Sequence, residues 1–310
     1  MTSPRVLVTP RSMSVADAPA LRQLRAAGYT VVTPAPGRQP TTEELTCALP
    51  GVVGWIAGVE PIGADVLAHA DALRAISRNG AGSDAIDIAA AEAAGIRVLT
   101  ARGANAQGVA ELALALALMG LRGLPEAADA LRAGQWRRHA GREAAGRTLG
   151  VVGFGAIGRR LADLARGLGM RVVAHDPFVA DGHGVPLLPL AELLRVSEVV
   201  SLHVPPSPAG PLLGRAELAL LRDDAVLLNT ARSTLVDETA LLAELTAGRF
   251  ALYSVDAFDR EPPEPSDLLR HPRVVATPHL GAATTESVRR ASEAAVENLL
   301  AALGTPSGSR

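Results

Sequence analysis

The chain has 310 residues, of which 48% are hydrophobic and 20% are charged, and its formal net charge at pH 7 is −2. A near-neutral chain without a basic block gives no electrostatic indication of nucleic-acid binding or of an anionic membrane surface. All 30 basic residues are arginine, which excludes Schiff-base chemistry on a lysine, and the single cysteine excludes an internal disulfide and a cysteine-rich zinc site. No metal site is expected.

The start of the chain contains no apolar leader, because MTSPRVLVTP enters a strand-like VLV directly. The most apolar run, LALALALMGL at 112–121, is shorter than the roughly 20 residues that span a bilayer. We therefore expect a cytoplasmic protein.

Short β-branched runs alternate with helical stretches over the first hundred residues. Such alternation predicts a mostly parallel sheet with helices on its faces. The predicted strands are Arg5–Thr9, Tyr29–Thr33, Val52–Ile56, Leu73–Ser77 and Arg97–Leu99, and the predicted helices are Asp17–Ala27, Thr41–Ala48, Gly63–Ala70 and Asp87–Ala94.

Two helical segments follow, Ala106–Leu121 and Pro125–Ala133, and a second alternating series then extends from Arg147 to about Thr277. Two proline-rich stretches in this series, 205–214 and 260–267, predict surface loops. An amphipathic helix is predicted at Glu286–Leu300. The pattern predicts two α/β domains joined through long helices.

The second series opens with G-x-G-x-x-G, formed by Gly153, Gly155 and Gly158, between a predicted strand and a predicted helix. In that context the first glycine permits the tight turn, the second lets the backbone approach a pyrophosphate, and the third lets the helix pack on the strand. The pyrophosphate is expected at the helix N-terminus, beside Ala156 and Ile157.

Asp176 follows the next predicted strand, 18 residues after Gly158. A carboxylate there accepts hydrogen bonds from the ribose hydroxyls and repels a 2′-phosphate. Pro177 and Phe178 come next, so no adjacent arginine would bind that phosphate. NAD is therefore the predicted cofactor; the alternative is a glycine-rich turn followed by a purely structural aspartate.

Seven ordered blocks make the chain resemble the D-isomer-specific 2-hydroxyacid dehydrogenase family, closest in style to its 3-phosphoglycerate dehydrogenase-like branch. The blocks are SRNGAGSDAIDI, GANAQGVAELALALALM, GVVGFGAIGRRLA, SLHVPPSPAG, LLNTARSTLVDETAL, VDAFDREPP and TPHLGAAT. The resemblance implies a Rossmann nucleotide-binding domain inserted into a flavodoxin-like substrate domain. We expect the substrate domain at 1–99 and 283–310 and the NAD-binding domain at 100–282.

The resemblance also implies a catalytic set of Arg232, Glu261 and His279. Reduction of a 2-keto acid needs a proton for the developing alkoxide, and imidazole titrates near neutral pH, which suits His279 as general acid and base. Glu261 is expected to orient the imidazole. The planar fork of Arg232 suits the substrate's carboxylate and carbonyl oxygens. Taken singly, Arg232 in a surface ion pair and Glu261 as a solvated loop charge are the plainer interpretations.

Further positions are implied by the same resemblance. The cofactor residues would include His203, Pro205, Thr230, Ala231, Asp256 and Gly281, with Asp256 holding the nicotinamide carboxamide; for His203 a structural role is as good an interpretation. The substrate residues would include Arg78, Asn79, Gly80, Ala81, Gly82 and Arg138, the amides of 79–82 forming an anion-binding nest. The helix within 106–121 and the 134–139 arm resemble elements that build a homodimer.

The identity of the 2-keto or 2-hydroxy acid stays open. The chain departs from the family's usual residues at Ala81, Ser83, Ala85 and Ser233, which alters the expected size or polarity of the pocket. Arg78 and Arg138 make a phosphate- or phosphonate-bearing substrate a hypothesis. Two alternatives remain: a phosphite- or phosphonate-oxidising dehydrogenase on the same scaffold, and an NAD(H)-sensing binding protein.

Overall fold

The structure, a computed structural model, describes residues 3–15 and 18–304. Its strands are β1 (Arg5–Val8), β2 (Thr30–Val32), β3 (Val52–Ala57), β4 (Ala75–Arg78), β5 (Arg97–Thr100), β6 (Thr148–Val152), β7 (Arg171–His175), β8 (Val199–Leu202), β9 (Val226–Asn229), β10 (Leu252–Val255) and β11 (Val274–Ala276). Its helices are α1 (Arg11–Ser14), α2 (Pro19–Ala26), α3 (Thr42–Ala48), α4 (Ala64–Leu67), α5 (Ile88–Ala93), α6 (Ala106–Arg122), α7 (Leu124–Arg132), α8 (Ala156–Gly167), α9 (Leu190–Val196), α10 (Arg215–Leu218), α11 (Glu238–Thr246), α12 (Asp267–Arg270) and α13 (Thr285–Leu303).

The chain divides into two compact units, one formed by Met1–Asn105 with Thr285–Arg310 and the other by Ala106–Thr284. Each contains a parallel sheet with helices between its strands, so the predicted α/β fold class is confirmed. Asp17, the first residue of the predicted helix Asp17–Ala27, lies outside the described residues, as do residues 305–310.

The first unit contains a five-stranded sheet in the order β2-β1-β3-β4-β5, with every pair parallel. This is the flavodoxin-like order. Helix α13 covers one face through Ala295, Val296 and Leu299, which cluster with Val6 and Val8 of β1. The helix therefore belongs to the core of this unit, although about 180 residues separate it from β5 along the chain.

The second unit contains a six-stranded parallel sheet in the order β11-β10-β9-β8-β6-β7. Strands β6, β8, β9 and β10 are buried along their whole length, as expected where helices cover both faces of a parallel sheet. The chain order reverses between β6 and β8. In open α/β sheets, ligands bind beyond the carboxyl ends of the strands at such a reversal.

Helix α6 is largely buried, whereas α7 has no buried residue. No single helix in the described part of the chain is long and apolar enough to cross a membrane. Helices α6 and α7 together reach that length and apolar composition, but the pair is bent by 66°.

Candidate active site

The turn after β6 is built for close backbone approach. Gly153 has φ +94°, and a β-carbon on it would lie 2.4 Å from the carbonyl oxygen of His203. A β-carbon on Gly158 would lie 2.2 Å from the carbonyl oxygen of Gly153. Neither position accepts a larger residue without displacement of the backbone, so the fold itself requires glycine at two of the three positions of the motif.

Gly155 differs from the other two glycines, because a β-carbon there would meet nothing within 4 Å. It is the N-cap of α8 and supplies no side-chain cap, so Ala156 and Ile157 begin a 12-residue helix whose first amides have no capping side chain. Open space above uncapped amides at a helix N-terminus suits an anionic phosphate group.

Asp176 lies immediately after β7, beside this turn. One carboxylate oxygen accepts a hydrogen bond from the Phe154 amide at 2.8 Å, and the other accepts one from the Phe178 amide at 2.9 Å. These contacts fix the carboxylate next to the glycine-rich turn. Each oxygen keeps a second lone pair that a ribose hydroxyl could use.

Two polar atoms near the carboxyl ends of β8 and β9 are buried and have no partner among the described residues: His203 Nδ1 and Thr230 Oγ1. The other ring nitrogen of His203 lies 2.9 Å from Ser201 Oγ. Burial lowers the pKa of His203 to about 4, so its imidazole is neutral at physiological pH. Buried polar atoms without partners are uncommon and are expected where a polar ligand binds.

The three residues of the expected catalytic set follow three neighbouring strands. Arg232 follows β9, Glu261 follows β10, and His279 follows β11. Because these strands are adjacent and parallel, their carboxyl ends share one edge of the sheet of the second unit.

His279 and Glu261 form a direct pair. Nδ1 of His279 lies 2.9 Å from Oε1 and 3.1 Å from Oε2 of Glu261. An ionised carboxylate only accepts, so Nδ1 carries a proton and Nε2 is the nitrogen left to exchange one. The His279 side chain is 44% exposed. The amide of Phe258 donates to Glu261 Oε1 at 3.1 Å and holds the carboxylate in turn.

Arg232 is half-buried, and its Nη1 donates to the carbonyl oxygen of Ala231 at 2.6 Å. The turn that carries it is fixed by Asn229, which is fully buried. The side-chain amide of Asn229 donates to the Arg232 carbonyl oxygen at 2.7 Å, and its oxygen accepts from the Ala231 and Arg232 amides at 3.2 Å. Asn229 was not among the predicted site residues, although asparagine at a strand end is a known signal for such a turn.

Asp256 is 1% exposed and faces the protein interior. Its carboxylate accepts a hydrogen bond from the Thr277 hydroxyl, from the Leu280 amide at 2.7 Å and from the Gly281 amide at 2.8 Å. The residue expected to hold the nicotinamide carboxamide is therefore engaged with the turn that contains His279.

Ser233, one of the departures from the family pattern, is buried. Its amide donates to the Ala257 carbonyl oxygen at 2.8 Å, and its hydroxyl accepts from the Asp259 amide at 3.2 Å. Ser233 thus ties the loop that carries Arg232 to the loop that carries Glu261. This contact joins the loops that follow two different strands, and no local sequence pattern indicated it.

The predicted substrate loop follows β4 in the first unit. The amide of Asn79 donates to Ala57 and the amide of Gly80 to Arg78, each at 2.9 Å. Two of the four predicted nest amides are therefore engaged within the unit. Among the described residues, the Ala81 and Gly82 amides donate no backbone–backbone hydrogen bond. The Arg78 guanidinium folds back onto the Asn79 carbonyl oxygen.

The remaining predicted site residues lie in loops of the second unit. Pro205 is exposed and Ala231 half-buried, while Gly281 is buried. Arg138 belongs to an entirely exposed stretch, 131–140. In the described residues, no three His, Cys, Asp or Glu side chains are grouped as a metal site.

The geometry of the second unit fits a dinucleotide. An open space lies above the uncapped amides of α8, a fixed carboxylate follows the next strand, and unpartnered buried polar atoms lie beside the reversal in strand order. These features occur together at one sheet edge, where such a ligand is expected.

Comparison with known proteins agrees with this fit. The model of the D-isomer specific 2-hydroxyacid dehydrogenase NAD binding domain matches residues 114–281. Hydroxypyruvate reductase of Thermotoga maritima is 37% identical over 270 residues, which are 84% of this chain and 88% of that protein. D-3-phosphoglycerate dehydrogenase of Methanocaldococcus jannaschii is 37% identical over 243 residues, 76% of this chain and 46% of that protein.

Among solved structures, the TT0316 protein from Thermus thermophilus superposes with a TM-score of 0.86 at 38% identity, covering 97% of this chain and 98% of that one. The chain spans about half the length of the curated phosphoglycerate dehydrogenases that it matches. The family match covers more than half of the chain, and it falls on the unit that contains the glycine-rich turn. The second unit is an NAD-binding domain, and the chain belongs to the D-isomer specific 2-hydroxyacid dehydrogenase family.

Proposed function

We propose that the protein is an NAD-dependent oxidoreductase that interconverts a small 2-keto acid and the corresponding D-2-hydroxy acid. The observation that carries the proposal is the 2.9 Å contact between His279 Nδ1 and Glu261 Oε1, at the same sheet edge as the glycine-rich turn. A partly exposed histidine that is held by a carboxylate at one ring nitrogen can act as general acid or base through the other.

His279 exchanges the proton in this proposal. In the direction of reduction, the imidazolium transfers the proton on Nε2 to the carbonyl oxygen of the keto acid as negative charge develops on that oxygen. The Glu261 carboxylate remains hydrogen-bonded to Nδ1 and stabilises the positive charge of the imidazolium before the proton is transferred. In the reverse direction, neutral Nε2 accepts the proton of the hydroxyl group. Bound NAD(H) supplies or accepts the hydride at the same carbon.

Arg232 orients the substrate and stabilises the charge on its oxygen. Its guanidinium has five N–H donors in a planar fork, which matches a carboxylate with an adjacent carbonyl. The Asn229 contacts hold its backbone, so the fork starts from a fixed position. Electrostatic stabilisation of this kind depends on such preorganisation.

The proposed cofactor contacts lie at the same edge of the second sheet. Gly153, Gly155, Ala156, Ile157 and Gly158 would receive the pyrophosphate, and Asp176 the ribose hydroxyls. His203, Pro205, Thr230, Ala231, Asp256 and Gly281 are proposed to line the remaining cofactor surface. The unpartnered His203 Nδ1 and Thr230 Oγ1 support this, because a bound polar group would satisfy them.

The substrate's carboxylate is proposed to bind the loop after β4. Of residues 79–82, Ala81 and Gly82 have the amides best placed to contribute, since those of Asn79 and Gly80 already donate to carbonyl oxygens. Arg78 and Arg138 are the proposed contacts for a phosphate or phosphonate group. The names of two relatives, a hydroxypyruvate reductase and a 3-phosphoglycerate dehydrogenase, support testing both kinds of acid.

The proposal is tested by measuring the rate of NADH oxidation with glyoxylate, hydroxypyruvate, phosphonopyruvate and 3-phosphohydroxypyruvate as substrates. Turnover by the native protein that collapses in His279→Gln supports the proposal, and a preference for the phosphorylated acids that disappears in Arg78→Ala or Arg138→Ala identifies the phosphate contact. NADH binding without turnover of any keto acid would instead favour a sensing role, and turnover of phosphite with NAD would favour the phosphite-oxidising alternative.

We also propose that a second copy of the chain covers α7 and the segment after it. Leu124 and Leu131, seven residues apart on α7, are 48% and 60% exposed, and Trp136 after the helix is 81% exposed; exposed apolar surface that is grouped marks protein contact sites. Light scattering should give the mass of a dimer for the native chain and of a monomer for Leu131→Glu/Trp136→Glu. Leu168→Glu is the matched control, because Leu168 is an exposed leucine in the same unit, at the end of α8; a monomeric native chain would refute the proposal.

A further inference from the structure

The backbone of His279 adopts a left-handed conformation, with φ +54°. Within the described residues only His183 and Phe250 share a positive φ without being glycine. The conformation is sterically unfavourable for a residue with a β-carbon, and it persists only where surrounding contacts impose it. The contacts that impose it at His279 therefore determine where its imidazole lies.

Those contacts converge on Asp256. The amide of His279 donates to the carbonyl oxygens of Asp256 at 2.8 Å and of Thr277 at 2.9 Å. The two amides that follow, of Leu280 and Gly281, donate to separate oxygens of the buried Asp256 carboxylate. One residue thus accepts hydrogen bonds from three successive amides, beginning at His279.

Thr277 fixes the carboxylate that makes these contacts. Its hydroxyl donates to Asp256 Oδ1, the oxygen that also accepts from Leu280. The amide of Thr277 donates to Val255 at 3.0 Å, in continuation of the β10 and β11 pairing, so the hydroxyl projects from a rigid backbone. Hydrogen bonds to a charged acceptor are among the stronger ones in proteins.

We propose that Thr277 is a positioning residue for proton transfer at His279, acting through the Asp256 carboxylate. The proposal rests on the proposed function, in which His279 Nε2 exchanges the proton. Glu261 orients the imidazole from its Nδ1 side, and the pair of Thr277 and Asp256 sets the backbone from which the imidazole extends. Two separate contacts thus fix one side chain, as a proton donor with a narrow geometric tolerance requires.

The decisive variants are Thr277→Val, which removes the hydroxyl and keeps the shape, and Thr277→Ser, which restores the donor. Thr246→Val is the matched control, because the Thr246 hydroxyl donates to the Leu242 carbonyl oxygen at 2.7 Å on the exposed face of α11 in the same unit. Should Thr277→Val fail to fold, Thr277→Ala carries the same comparison.

We expect Thr277→Val to lower kcat by about tenfold or more, the scale of a lost hydrogen bond to a charged group. The Kd of NADH should stay within about twofold, and Thr277→Ser should recover most of the rate. An unchanged kcat, or an equally slow Thr277→Ser, would overturn the proposal. A loss confined to NADH affinity would also overturn it and would assign the Thr277 and Asp256 pair to the cofactor.

A second measurement needs no substrate. In histidine-labelled protein, the NMR resonances of the His279 imidazole are identified by their absence in His279→Gln. They should shift in Thr277→Val and return in Thr277→Ser, and Thr246→Val should leave them in place. Identical resonances in the native and Thr277→Val proteins would overturn the positioning role. If the native protein reduces no 2-keto acid, the proposed function fails, while this spectrum still tests the role of Thr277.

Discussion

The carbonyl oxygen of His203 occupies the space that a β-carbon on Gly153 would require, since the two atoms would lie only 2.4 Å apart. The glycine at the end of β6 is thus fitted to the backbone at the end of β8. These strands flank the reversal in chain order, so the contact lies at the sheet edge where the nucleotide is proposed to bind.

Gly153→Ala should therefore destabilise the fold itself. The substitution adds a clash with backbone to a φ of +94°, and we expect the free energy of unfolding to fall by at least about 1 kcal/mol. Denaturant unfolding of the cofactor-free protein measures this. An unchanged midpoint would mean that the turn relaxes more readily than its contacts indicate.

Gly155→Ala should weaken NADH binding without changing the stability of the fold. Its β-carbon meets nothing within 4 Å, so the unfolding midpoint should match that of the native protein. The same carbon would occupy the space assigned to the pyrophosphate, and we expect NADH affinity to fall by about tenfold or more. Titration of NADH fluorescence checks the prediction, and native affinity would place the phosphates elsewhere.

The pair of His279 and Glu261 should dominate the chemical step. His279→Gln is expected to lower kcat by about 10²- to 10⁴-fold, because it removes the group that exchanges the proton. Glu261→Gln keeps a hydrogen-bond acceptor for Nδ1 and loses the charge, so its effect should be smaller. Steady-state rates with NADH at saturation measure both. Native turnover by His279→Gln would require another proton donor.

Asp176 should set the preference for NAD over NADP. Asp176→Asn retains one oxygen to accept from Phe154 or Phe178 and removes the charge that repels a 2′-phosphate. Like charges about 4 Å apart repel by about 1–4 kcal/mol between the dielectric constants of water and of a protein surface. The ratio of kcat/KM for NADH to that for NADPH should therefore fall by about tenfold, and an unchanged ratio would assign selectivity to other residues.

His203 should make stability depend on pH. Burial lowers its pKa in the folded state from 6.5 to about 4, so between these values the unfolded chain binds a proton that the folded chain does not. The free energy of unfolding therefore rises with pH across this window, by up to about 3 kcal/mol. This contribution of His203 is fully present above pH 6.5 and is lost as the pH falls to about 4. Urea unfolding across this window should show the slope, and His203→Asn should flatten it.

Local sequence patterns predicted the elements closely where they were strongly periodic. The predicted strand Arg97–Leu99 is one residue shorter than β5, and the predicted helix Ala106–Leu121 is one residue shorter than α6. Thr41 was included in a predicted helix, whereas the structure makes it the N-cap, with a reciprocal capping box to Glu44. The single-turn helix α1 was not predicted, because four residues are too few to show a helical period.

The candidate site was less accessible to sequence reasoning. The blocks that contain Arg232, Glu261 and His279 could be recognised, because each has a local pattern. The contacts of Asp256 with Thr277, and of Ser233 with Asp259, join different loops and arise only when the strands are placed side by side. The left-handed backbone of His279 is likewise imposed by tertiary contacts, since no property of histidine requires it.

The place of α13 in the first unit has a consequence for synthesis on the ribosome. Leu299 and Leu303 pack so closely on β3 that a β-carbon on Gly54 would lie within 3.1 Å of both. The second unit is continuous in sequence, so it can fold as soon as it has emerged, whereas the sheet of the first unit lacks one of its covering helices until residues 285–303 are made. Of the two units, the one whose synthesis begins earlier is thus completed later, and one apolar face of its sheet stays uncovered in the meantime.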